Sequence, residues 1–116
     1  MATAVLFIGW NHPHPGHEKD AYGFLMREGA EYFKKLQSQG WFERVDNVGL
    51  TPHGGGVHGF ILLHGERAKL DELRRTDEFE RFSMRLGRWM GGYAVVPGVT
   101  GEGLAKVAAR NPDILG

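Results

Sequence analysis

Six histidines give this chain its widest chemical reach, since a neutral imidazole can ligate a metal or exchange a proton near pH 7. Spacing separates those uses. His58 and His64 share a parity on one expected strand, but six residues at about 3.3 Å each set them roughly 20 Å apart, too far for one ion. A three-residue turn over Gly54-Gly55-Gly56 would pair His53 with Val57 and put His53 and His58 on opposite faces. His12 and His14 each precede proline, which favours polyproline II, and its threefold twist points them apart. One route is left for a metal. His12, His14 or His17 would meet His53 at one end of the sheet, with Glu18 or Asp20 as a carboxylate ligand. On these distances no structural metal and no tightly bound cofactor is expected.

The aromatic residues Trp10, Tyr22, Tyr32, Trp41, Trp89 and Tyr93 serve mostly core or subunit contacts in the plainer reading. In the functional reading, Trp10, Tyr93 and a strand face of His58, Phe60 and His64 line an apolar pocket with a few polar groups, as small-molecule sites do. The expected ligand-binding set is Trp10, His53, His58, Phe60 and Tyr93. The candidates for moving a proton are His58, His64 and His53. Each histidine could equally be a hydrogen-bonded core residue. Arg81, Arg85 and Arg88 recur along one helix face, as a solvated stripe partly paired with Asp77 or as a site for an acidic ligand. The triple glycine could form an anion nest, but no lysine-serine follows it, so it is not a phosphate loop.

The elements that must hold these residues fit in 116 residues, the size of one ordinary domain, expected to span 1–116. Apolar residues make up 41% and charged residues 24%, the balance of a globular chain. Lys plus Arg and Asp plus Glu are both 14, so no net field draws the chain to nucleic acid or anionic membrane. With no cysteine, disulfides, thiolate metal sites and cysteine nucleophiles are excluded. The first apolar run is too short for a signal peptide or a span, and a cytoplasmic protein is expected.

Ala4 to Trp10 is apolar on both parities, as for a strand buried on both faces. A helix is expected from Glu18 to Gln39, with Tyr22, Leu25, Met26, Phe33 and Leu36 on its buried face. Strands over Phe42–Thr51 and Val57–His64 would form a hairpin across the glycines. A short helix follows over Arg67–Arg75. Thr76 caps a helix through Met90, a strand runs over Tyr93–Val99, and a last helix covers Glu102–Arg110. The order is β-α-β-β-α-β, which predicts an α+β, ferredoxin-like four-stranded antiparallel sheet with helices on one face.

Val5 to Ile8 and Phe60 to Leu63 are apolar on both parities, yet helices cover one face only. A second copy packed sheet to sheet would bury the rest, giving a homodimer, and the alternative is a C-terminal tail folded over the open face. The element order over residues 4 to 99 resembles the dimeric α+β barrel superfamily. So do the stretches Gly59-Phe60-Ile61-Leu62-Leu63-His64-Gly65, Lys69-Leu70-Asp71-Glu72-Leu73, Thr76-Asp77-Glu78-Phe79 and Tyr93 to Val96. That superfamily holds small cofactor-free monooxygenases, muconolactone-type isomerases, haem-binding members and YCII-like proteins. The resemblance implies a homodimer with a pocket on the sheet, and no single chemistry. Asp77 matches the YCII-like pattern, but Glu31-Tyr32-Phe33 stands where that pattern carries a helical histidine, and the second helix has no histidine to ligate haem.

The function expected on this basis is binding, or cofactor-independent oxygenation or isomerisation, of a small aromatic or lactone-like compound between sheet and helices. The alternative is a non-catalytic dimeric interaction module. The mouth of the pocket is expected where residues 11–17 and 52–57 meet.

Overall fold

The computed structural model describes residues 3–115, and its frame is the pairing of β1 (Ala4–Trp10) with β3 (Gly59–Gly65). β2 (Arg44–Gly49) flanks β3, and β4 (Ala94–Val99) flanks β1. The result is one antiparallel sheet in the order β2-β3-β1-β4, compatible with a ferredoxin-like fold. The first helical stretch joins α1 (Glu18–Phe24), a π-helical turn (Leu25–Gly29) and α2 (Ala30–Ser38). After β3 come α3 (Arg67–Arg74) and α4 (Asp77–Trp89), and after β4 come α5 (Glu102–Arg110) and α6 (Pro112–Leu115).

Alternation divides the two central strands. Leu6 and Ile8 of β1 and Ile61 and Leu63 of β3 join one core with Leu70 and Leu73 of α3 and Phe79, Phe82 and Leu86 of α4. Each fully buried leucine contributes about 1.5–3 kcal/mol. The other parity, Val5 and Phe7 across from His64 and Leu62, makes the opposite face. α5 buries none of its residues fully, and Leu104 is 57% exposed, although Val5 on this face is only 6% exposed. Thr76 starts α4 as expected. Its hydroxyl accepts from Phe79 N at 3.2 Å, and Asp77, Glu78 and Glu80 sit in the positive first turn.

The expected continuous helix over Glu18–Gln39 is corrected by the π-helical turn. A π turn takes up one extra residue and rotates everything before it by about 100° relative to an unbroken α-helix. Phe33 and Leu36, after the turn, are buried as expected. Before it, Ala21 and Phe24 are buried in place of Tyr22 and Met26, which are 40% and 77% exposed. The buried set has moved back one position. The hairpin is also shorter than expected, because β2 stops at Gly49 and β3 begins at Gly59, leaving residues 50–58 as a loop. Pro52 and three glycines cannot sustain a ladder.

Two close approaches fix how β1 lies on β3. A Cβ at Gly59 would fall 2.7 Å from Trp10 Cζ2 and 3.0 Å from its Nε1, so the indole lies flat across this glycine, its cross-strand partner. On the other face a side chain at Gly9 would run into the Phe7 ring, which instead reaches Phe60 at 5.4 Å between centroids. Gly59→Ala is expected to destabilise the fold by about 1–3 kcal/mol in urea denaturation, the usual penalty of overpacking. Gly49→Ala, on β2 with open space at its Cβ, is expected to leave the midpoint within a few tenths of a molar.

Candidate functional site

A cavity of about 490 Å³ lies between β2 and the first helical stretch. Its helical wall is set by the π turn. Ala30, Phe33, Lys34 and Gln37 follow the i, i+3, i+4, i+7 stripe of α2, and the re-phased Tyr22, Leu25 and Met26 continue that wall. π turns inside α-helices recur at functional sites because they redirect side chains in this way. The sheet wall is Trp10, Ile61 and the β2 residues Val45, Asn47, Val48 and Gly49, bordered by Phe60. The lining is mostly apolar.

The Trp10 side chain also carries an unusual polar atom. Trp10 is 6% exposed, and its Nε1 is buried with no hydrogen-bond partner. It is one of two such side-chain atoms among the described residues, and the other, the Tyr32 hydroxyl, does not line the cavity. A buried N–H without an acceptor costs about 1–3 kcal/mol.

The remaining expected site residues lie elsewhere. His58 precedes β3 and is buried at the loop end, where its ring stacks on His12 at 3.6 Å and lies 4.7 Å from His53. This corrects the opposite-face placement of His53 and His58. The parity argument needed a hairpin strand through residues 53–58, and the chain there is a loop. His53 is occupied by its own turn, accepting from Gly55 N at Nδ1 (2.8 Å) and donating from Nε2 to Val57 O (2.7 Å). Among the described residues no three His, Cys, Asp or Glu side chains assemble a metal site.

His64 and Phe60 share the face opposite the helices, so they do not form a wall toward them. Both parities of β3 are apolar, and only packing chose which one faces the helices. His64 Nε2 donates to Asp46 Oδ2 at 2.8 Å, with Arg44 Nη2 3.0 Å away. The hydrogen bond from His64 holds the Asp46 carboxyl below its ordinary value. Sequence reasoning missed this pair, although Arg44 and His64 are direct cross-strand partners and Asp46 lies two residues along the same face. Tyr93 sits against α4, donating to Ser83 Oγ at 2.8 Å, and burial pushes its hydroxyl up to about 12. It therefore keeps its proton at neutral pH.

The first loop is no open mouth. Asn11 N bonds Gly91 O, Gly91 N bonds His12 O and His14 N bonds Trp89 O, all within 2.6–2.7 Å, so residues 11–14 are sewn to the end of α4. Neither residues 11–17 nor 52–57 line the cavity. On α4, Arg85 pairs with Glu28 of the π turn at 2.7 Å and lies 4.5 Å over the Phe24 ring, whereas the expected Asp77–Arg81 pair does not form.

No family model, no curated protein and no solved structure matches this chain. Among the described residues no helix is long and apolar enough to cross a membrane.

The imidazole cluster makes stability depend on pH. Burial, then the neighbouring His12 and His53, hold His58 below its ordinary value of 6.5. The unfolded chain therefore takes up the proton first, and stability present above about pH 6.5 is lost as pH falls through the lowered folded value. The melting temperature is expected to fall between pH 7.5 and 5.0. His58→Gln should remove most of that slope, and an unchanged slope in the variant would assign it to other groups.

Proposed function

We propose that this chain is a small-molecule-binding protein, whose site is the cavity between β2 and the re-phased first helix. The observation that carries this reading is a cavity of about 490 Å³ with a mostly apolar lining, broken by a few polar side chains such as Lys34, Gln37 and Asn47. An apolar body with one or two polar groups would fill the space. The cavity volume lies within the usual range of about 300–1,000 Å³ for such sites. Binding is favoured over acid–base catalysis because the lining holds no imidazole and no carboxylate. His53, His58 and His64 are engaged elsewhere, which leaves the monooxygenase- or isomerase-like chemistry without a proton carrier in the cavity.

The subunit reading that goes with it is a ferredoxin-like domain of the dimeric α+β barrel type. Support comes from the open sheet face, where Phe7, Phe60 and Leu62 are only half-buried and Val96 is 49% exposed. A second copy laid on this face would bury it. Light scattering at micromolar concentration should give the dimer mass, and Leu62→Asp should shift it to monomer. A monomeric wild-type chain overturns the dimer.

The binding reading is tested by titrating ¹⁵N-labelled protein with 2-acetylnaphthalene and following the three indole N–H signals, Trp10 being assigned through Trp10→Phe. The Trp10 signal should move while Trp41 and Trp89 stay. Ala30→Leu, which fills the cavity from its helical wall, should weaken binding about tenfold or more. Equal movement of all three signals, or of none, rejects the site.

A further inference from the structure

We infer that the ligand class of this cavity is a monoanion: an apolar ring system with a carboxylate held by Lys34 at the rim. The inference rests on the small-molecule reading above and adds the ligand's charge. Lys34 is the one charged residue in the lining, and no aspartate or glutamate accompanies it. A cation with no local counter-charge beside an apolar wall favours an anion there, because the wall excludes part of the water that would screen it.

Several cations outside the lining are engaged, though others, such as Arg81 and Arg88, pair with nothing among the described residues. Lys35 pairs with Glu78 at 3.0 Å, Arg85 with Glu28 and Arg44 with Asp46, while Lys69 and Arg67 donate to the carbonyls of Gly40 and Gly98. Lys34 makes no ion pair and no hydrogen bond among the described residues, although Glu31 lies one turn away on the same helix. Its neighbour on the stripe, Gln37, is committed to the Glu43 carbonyl at 2.8 Å, which ties α2 to the segment before β2. That tie holds the rim and leaves Lys34 as its uncommitted charge.

Lys34 is exposed at the rim and suits a charged group that stays partly in water, while the apolar ring system enters the cavity. With no net charge on the chain, the preference for an anion is local to this rim.

The test uses a matched pair, 6-methoxy-2-naphthylacetate and 2-(6-methoxy-2-naphthyl)ethanol, which differ in the charged group alone. Both are titrated into the intact protein at low salt and followed by the Trp10 indole signal and by calorimetry. The acid is expected to bind about fivefold tighter than the alcohol, a preference lost in Lys34→Met and kept in Lys35→Met, which removes the same charge from a residue outside the lining. Equal affinity of acid and alcohol, with the Trp10 signal moving for both, overturns the anion inference and leaves the binding site standing. A preference reduced equally by both lysine variants also overturns it, since the attraction is then general. Failure of both compounds to move the Trp10 signal rejects the site itself.

Discussion

The placement of β1 on β3 depends on two aromatic rings that lie across glycines on opposite faces of the same two strands. Trp10 covers Gly59 toward the helices, and Phe7 covers Gly9 toward the open side, where it meets Phe60. A slip of one residue would bring a side chain under one ring or both and exchange every inward residue for an outward one. With the register held, Leu6, Ile8, Ile61 and Leu63 all face α3 and α4, and the core closes around them. The indole that locks the strands is also the wall of the cavity, so the fold and the candidate site share one side chain.

The cavity itself is a consequence of helix phase. Had the stretch over Glu18–Gln39 run as an unbroken α-helix, Tyr22 and Met26 would point at the core. The π turn brings Ala21 and Phe24 there instead and turns the larger residues to the flank above β2. Two cross-links hold that arrangement. Arg85 grips Glu28 inside the turn and covers Phe24 from α4, and Gln37 reaches the main chain before β2. A π turn gives up regular hydrogen-bond geometry, and such tertiary contacts are what sustain it.

The histidines, which look like the chemistry of this chain on paper, are mostly consumed by structure. His53 closes its own turn, His58 and His12 stack to seal the loop end, and His64 serves a cross-strand pair with Asp46. None lines the cavity. A histidine in a glycine-rich loop satisfies local main-chain groups readily, because the flexible backbone can wrap around the ring.

Much of this protein was legible in its residues alone. The element order, the double-sided apolar strands at β1 and β3, the Thr76 cap and the last helix follow from local periodicity and turn chemistry, which neighbouring residues decide. Trp10 and Phe60 both border the cavity, Phe60 from the parity that faces away from the helices. The face taken by each side chain of β3, the length of the loop over residues 50–58 and the phase of the first helix were not legible. Both parities of β3 are apolar, so its orientation is set by what α3 and α4 bring against it. The π turn is written in no local propensity, and it sits where Phe24 and Glu28 meet Arg85 of α4 across the fold. The sequence by itself determined which elements form. The tertiary structure decided which side chains face the cavity, because that depends on contacts between residues more than fifty positions apart.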